Sequence, residues 1–244
     1  MYKELLGYKI FSDNKGELLK EIENKKRVNI ISGNPEVLYN GIKNEFLRNS
    51  FTKEDALIIP DGVGTLLAAK INGIDITEKI AGIEVMNMLL EEAIDKNLKV
   101  FLLGAKEETL IKCKEKIKEN YDGINIVGSN NGFFDLDNCD DLIEKINESK
   151  ADILFVAMGA PRQEVFIEKY KDKLCCKIFM GVGGSFDVFA GNVNRAPQFM
   201  INIGMEWLYR VAKEPWRIKR LGSIPKFLLL SLKERGKRQW KFYL

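Results

Sequence analysis

The sequence predicts an α/β fold: a mostly parallel six-stranded sheet with helices on both faces, followed by a basic helical C-terminal appendage. Three observations predict it. Short apolar runs rich in valine, isoleucine and phenylalanine recur along the chain, longer amphipathic stretches separate them, and the segment after residue 205 differs in charge and aromatic content from all that precedes it.

The runs are VNIIS (28–32), ALIIP (56–60), KVFLLG (99–104), INIVGS (124–129), DILFVAMG (152–159) and KIFMGVGG (177–184). Each is nearly continuous in hydrophobicity, as a strand covered on both faces requires. Between them, segments such as EETLIKCKEKIKENY carry apolar residues at helical spacing. Six such alternations describe a Rossmann-like sheet in which ligands collect beyond the carboxyl ends of the strands. No repeat, low-complexity tract or long linker interrupts them. The expected division is an α/β core over 1–204 and the appendage over 205–244. Because every predicted strand ends before residue 205, the core is expected to fold without the appendage.

With 244 residues and 45% apolar content, the chain can bury a substantial core. It contains no histidine, so the commonest general base near neutral pH is missing and any proton transfer must use another group. The four cysteines, Cys113, Cys139, Cys175 and Cys176, show no Cys-x-x-Cys spacing and are expected to be reduced and buried. The N-terminal MYKELLGYKIFSDNKGELL carries charges where a signal peptide would be apolar, and no run approaches the ~20 apolar residues of a membrane span, so a cytoplasmic location is expected. The net charge of +3 conceals an asymmetry. Residues 206–244 hold 11 Lys/Arg against 3 Asp/Glu, net +8, together with all three tryptophans, Trp207, Trp216 and Trp240. That composition implies an anionic or amphipathic partner.

The predicted strand ends share one chemistry. The first run leads through Ser32 and Gly33 to Asn34, the second to Asp61, Gly62 and Gly64, and the third ends on Gly104. The fifth leads to Gly159, Pro161, Arg162 and Gln163, and the sixth to Gly183, Gly184, Ser185 and Asp187. Taken singly, Asn34 and Asp61 can cap helices and the glycines can make tight turns. Five such clusters at strand ends point to a ligand-binding rim, where glycine also lets backbone N–H groups approach phosphate. GVGG lacks the spacing of a dinucleotide fingerprint, and no Gly-Lys-Ser/Thr phosphate loop occurs, which argues against a nicotinamide or ATP enzyme.

PDGVGTLLAAK, VFLLGAKEE, ILFVAMGAPRQE, GVGGSFDVFAG and RAPQFMINIGMEWLYRVAKEPWRIKR, in this order and spacing, resemble the WecG/TagA/CpsF family of bacterial glycosyltransferases from about residue 5 to 232. The resemblance implies transfer of N-acetylmannosamine, or its uronic acid, from a UDP-sugar to a polyprenyl-diphosphate-linked N-acetylglucosamine in cell-wall or surface-polysaccharide synthesis. It also implies inversion at the anomeric carbon, no cofactor or required metal, and peripheral attachment to an anionic inner membrane face.

Asp61 matches the carboxylate proposed in the family as catalytic base. Ser32 and Asn34 match a hydroxyl-x-Asn pair lining the same pocket, Ser32 standing where threonine is usual. Gln163 matches a polar residue at the sugars, while Lys79 stands where arginine is expected and offers a point charge in place of a bidentate fork. Gly104, Gly183 and Asp187 complete the expected donor and acceptor contacts. Arg210, Arg217 and Arg220 are expected to clamp a diphosphate, and KFLLLSLKERGKRQWKFYL reads as a membrane-surface segment or as a helix docked on the core. Asp135-x-Asp137 resembles a metal-binding dyad of one glycosyltransferase class, but its place just before LIEKINES favours a helix-entry loop, so no metal site is expected. Two other classes compete: a nucleic-acid or anionic-lipid binding module explains the tail but not the rim, and a nucleotide-dependent oxidoreductase explains the rim but lacks its glycines. No nucleic-acid partner is expected, and self-association is left open.

Overall fold

Each of the six apolar runs forms a strand in the computed structural model, which describes residues 1–202, 205–213 and 222–240. They are β3 (Val28–Ser32), β4 (Ala56–Ile59), β5 (Lys99–Gly104), β6 (Asn125–Asn130), β7 (Ile153–Ala157) and β8 (Ile178–Gly181). Two strands that hydrophobic runs did not predict precede them: β1 (Tyr2–Leu5) and β2 (Tyr8–Phe11) form an antiparallel hairpin, and β2 joins the parallel sheet beside β4. Its two-residue turn has positive φ at both Leu6 (53°) and Gly7 (81°), the backbone that a tight hairpin demands. The sheet is therefore eight-stranded, in the order β1-β2-β4-β3-β8-β7-β5-β6.

Between the strands run α1 (Lys15–Asn24), α2 (Pro35–Lys43), α3 (Glu45–Phe51), α4 (Val63–Ile71), α5 (Gly82–Asp95), α6 (Glu107–Asn120), α7 (Asp140–Glu148), α8 (Arg162–Tyr170) and α9 (Ser185–Phe189). The described C-terminal elements are α10 (Gln198–Asn202), α11 (Glu206–Lys213) and α12 (Ser223–Trp240). Strand side chains alternate between two layers, as the two-residue period dictates. Val28, Ile30, Leu57, Ile59, Val100, Leu102, Ile153, Phe155, Ile178 and Met180 pack with α1, α5, α6 and α9. On the opposite face, Phe101, Leu103, Leu154, Val156 and Phe179 meet α7 and α8, while Ile10, Ile31 and Ile58 meet α2, α3 and α4.

The last helix belongs to that second layer. Phe227 on α12 is fully buried in the cluster with Leu38, Phe51 and Ala68. Asn72 Nδ2 donates to Ser231 Oγ (2.6 Å), the Ser231 hydroxyl donates to the Ala68 carbonyl (3.1 Å), and the Leu6 amide donates to Glu234 Oε2 (2.9 Å). Phe227 thus joins a cluster whose other buried members lie within residues 5–69, so α12 docks on the core, one of the two readings its sequence allowed. Leu229 and Leu232 remain exposed on the same helix. No helix among the described residues is long and apolar enough to cross a membrane. Three cysteines are buried and unpaired, and burial pushes the thiols of Cys113 and Cys176 up to about 12; Cys175, expected inside, is exposed.

Candidate active site

The sheet order creates the site. From β5 the chain leaves toward β6 at one side, and from the neighbouring β7 it leaves toward β8 at the other, so the loops beyond their carboxyl ends diverge. Ala157, at the end of β7, lines both cavities found there. The first cavity, about 480 Å³, is walled by the ends of β3, β4, β7 and β8 together with Glu206 and Trp207 of α11. The second lies over the ends of β5 and β6, includes Gly132, Phe133, Asp135 and Arg162, and shares Ala157, Met158 and Asp187 with the first.

Ser32, Asn34 and Asp61 meet at the first cavity through the parallel pairing of β3 with β4, which aligns Ser32 beside Ile59. The Ser32 hydroxyl donates to Asp61 Oδ2, and Asn34 Nδ2 donates to Ser32 Oγ (3.3 Å). Asn34 Oδ1 accepts the Val37 amide at 3.0 Å, so Asn34 caps α2 and orients Ser32 with the same side chain. Asp61 does not serve as the cap of α4: that helix starts from Gly62, at φ 80°, without a side-chain cap. Thr65 on the first turn of α4 donates to the Gly33 carbonyl at 2.6 Å and ties the two loops together. The result is a carboxylate held at a rigid strand end by a hydrogen-bonded chain of two neutral side chains.

Gln163 has a different setting from that of a freely exposed sugar ligand. It lines the cavity yet is only 3% exposed, its Oε1 accepts the Gly183 amide (3.0 Å), and its Nε2 donates to Glu164 Oε1 (2.8 Å). One Nε2 hydrogen remains for a ligand. A glycine at 181 makes room for this amide, because a Cβ there would stand 2.6 Å from Nε2. Gly183 and Asp187 line the first cavity. Gly104 lines neither cavity; a Cβ on it would lie 2.3 Å from the Ala157 carbonyl oxygen, so its role is the close approach of β5 to β7. Lys79 lies in the connector before α5, two residues from the lining Ala81, and does not line the cavity itself. The Arg210 side chain, Arg217 and Arg220 lie outside the described residues.

Four carboxylates line the first cavity, those of Glu36, Asp61, Asp187 and Glu206, and no lysine or arginine does so among the described residues. Sequence reasoning missed Glu36, Glu206 and Trp207, whose strings carry no local signal for a pocket. It also passed over Glu164, which is 6% exposed and which burial pushes up to about 7. The signal was present: in RQEVFIEKY, Glu164 and Glu168 occupy i and i+4 on a helix that buries Phe166 and Ile167. Asp137 takes an ion pair from Lys169 (2.5 Å), and Asp135 Oδ1 accepts the Asp137 amide (2.9 Å), the geometry of a loop entering α7. Among the described residues, no group of three or more Cys, Asp or Glu side chains could hold a metal.

The profile described as "Glycosyl transferase WecG/TagA/CpsF family" matches residues 3–241. The N-acetylglucosaminyldiphosphoundecaprenol N-acetyl-beta-D-mannosaminyltransferase of Bacillus subtilis is 36% identical over 222 residues, which cover 91% of this chain and 85% of the relative. The protein of the same name from Bacillus spizizenii is 36% identical over 212 residues, covering 87% and 81%.

Proposed function

Since this chain belongs to the WecG/TagA/CpsF family of glycosyltransferases, we propose that it transfers N-acetylmannosamine from a UDP-sugar to the N-acetylglucosamine of a polyprenyl-diphosphate lipid, in the synthesis of a cell-wall polymer of the teichoic-acid type. The observation that carries the reading is the Asn34–Ser32–Asp61 chain at the base of the first cavity. In the proposed reaction an acceptor hydroxyl oxygen forms a bond to the anomeric carbon as the bond from that carbon to UDP breaks. The hydroxyl proton passes to Asp61, and the electron pair leaves with the UDP phosphate.

An ordinary carboxylate cannot ionise a sugar hydroxyl in advance. It can accept the proton late, when the nucleophilic oxygen is already losing its charge to the new bond. Position then matters more than basicity, and the strand end with its hydrogen-bonded chain supplies position. The relatives' names specify a beta-mannosaminyl product. From an α-linked UDP donor, that product requires a single inverting displacement.

The adjoining cavity, with the exposed ring of Phe133 and with Asp187 at the boundary, has the room and the flat apolar face that a nucleotide needs. Lys106 and Arg162 line that adjoining cavity, and a diphosphate calls for cationic clamping, a task assigned here to Arg210, Arg217 and Arg220 of the 205–244 appendage while the 1–204 core holds the base. The exposed Leu229 and Leu232 on α12, beside its lysines and arginines, support peripheral contact with an anionic inner membrane face from the cytoplasm. No metal or cofactor takes part in this scheme.

The test is UDP release with a panel of UDP-sugars and an N-acetylglucosamine diphospholipid. N-acetylmannosamine transfer is expected, with Asp61→Asn retaining donor binding while turnover falls by roughly 10²–10⁴. A folded Asp61→Asn protein with near-normal turnover would remove the base assignment, and release only with another donor would remove the sugar assignment.

A further inference from the structure

We propose that Glu164 is a positioning residue whose carboxyl group, acting through the side-chain amide of Gln163, holds the backbone of residues 181–185 in the shape that walls the active-site cavity. The inference rests on the glycosyltransferase reading for its kinetic consequences but not for its geometry.

The wall is short of backbone partners at one point. Val182 N–H donates to the Val156 carbonyl (2.9 Å) and Ser185 N–H to the Val182 carbonyl (3.0 Å), which ties both ends of the turn to the sheet or to itself. Between them Gly183, at φ 51°, turns its N–H to Gln163 Oε1. An amide has one acceptor end and one donor end, so this bond is kept only while Nε2 points the other way. Glu164 Oε1 accepts one Nε2 hydrogen there, with both side chains buried. A buried donor left without an acceptor is costly, so the carboxyl of Glu164 decides which way the Gln163 amide faces. Gly181 leaves the space the amide occupies.

A packing role alone does not explain a carboxyl group at this position. Its second oxygen, Oε2, is buried without a hydrogen-bond partner, and the like charge of Glu36 on α2 disfavours its ionised form. For packing, a methionine of similar length would serve better. The acceptor atom facing Gln163 is what a hydrophobic residue cannot supply.

Two measurements on Glu164→Met test this, the first on ligand-free protein. Amide hydrogen exchange across residues 181–185 is expected to accelerate about tenfold at Gly183, the equivalent of one lost hydrogen bond. In steady-state kinetics the KM of at least one substrate is expected to rise about tenfold, because residues 181–185 wall the cavity that holds Asp61. Glu164→Gln, which keeps an oxygen in reach of Nε2, is expected to recover most of both effects. Native exchange at Gly183 together with unchanged KM values in Glu164→Met would reduce Glu164 to a packing residue and overturn the inference. Should Glu164→Met not fold, Gln163→Met must show the same faster exchange at Gly183, and native exchange there overturns the inference equally. Faster exchange in a protein whose wild type transfers no sugar would leave the strut standing and remove the proposed function.

Discussion

Replacing Glu164 by glutamine should change how stability depends on pH, and the size of the change follows from burial. The carboxyl sits 6% exposed on α8, and burial pushes it up to about 7, with the carboxylate of Glu36 adding in the same direction and the Gln163 amide opposing. The folded state therefore binds this proton more tightly than the unfolded chain, where the group titrates near 4.5. The stabilisation is fully present below about pH 4.5 and is lost as pH rises through 7. A separation of this size corresponds to about 2–3 kcal/mol between pH 5 and pH 8. Glutamine has the same shape, keeps an acceptor for Gln163 and does not titrate, so it removes the dependence without removing the contact. Urea unfolding of both proteins at pH 5, 6, 7 and 8 is the assay. The stability of Glu164→Gln relative to wild type should improve by about 2–3 kcal/mol across that range, equivalent to roughly 4–12 °C in Tm for a chain of this size. Parallel curves for the two proteins would show that Glu164 ionises normally in the fold and that its burial carries no electrostatic cost.

Neutral substitution at any one of Arg210, Arg217 and Arg220 should lower turnover even of a short, water-soluble acceptor, whereas replacing Lys237, Arg238 and Lys241 together should weaken liposome sedimentation and leave that turnover nearly unchanged; equal effects of both groups in both assays would show one undifferentiated basic patch. Phe227→Ala should destabilise the protein by about 3–5 kcal/mol, read by urea denaturation, because its ring is fully buried between α12 and the α2–α4 layer. Exhaustive EDTA treatment should leave transfer intact; activity lost and then restored by manganese or magnesium would bring Asp135 and Asp137 back as ligands.

Much of the fold was legible because its signals are local. Each of the six apolar runs reads directly as a strand, and EETLIKCKEKIKENY reads as a helix, since burial on both faces or on one stripe imposes its own period on a few neighbouring residues. The N-terminal hairpin escaped because YKEL and YKIF place lysine among the apolar positions and Leu6 adopts a positive φ that its side chain does not advertise. The rim of polar residues was legible for the same reason as the strands: Ser32, Asn34, Asp61 and Gln163 each lie at the end of a run or within four residues beyond it. What each does there was not. Asn34 was a cap or a pocket residue by sequence, and it is both, because one amide has two ends and β3 lies beside β4. Asp61 could equally have been a cap until the start of α4 at Gly62 and the hydroxyl of Ser32 settled which group it meets.

The sequence by itself determined the α/β class, the six parallel strands, the family and the row of groups at the strand ends, all written in local stretches of the chain. The tertiary structure alone decided that Phe227 belongs to the core, that Lys79 stays out of the cavity lining, that Glu36 and Glu206 join Asp61 there, and that Glu164 is buried against Gln163. Those outcomes depend on which strands become neighbours and on how far water is excluded from the groups they bring together. Strand order and desolvation are properties of the whole packed chain, and no short stretch of sequence encodes either one.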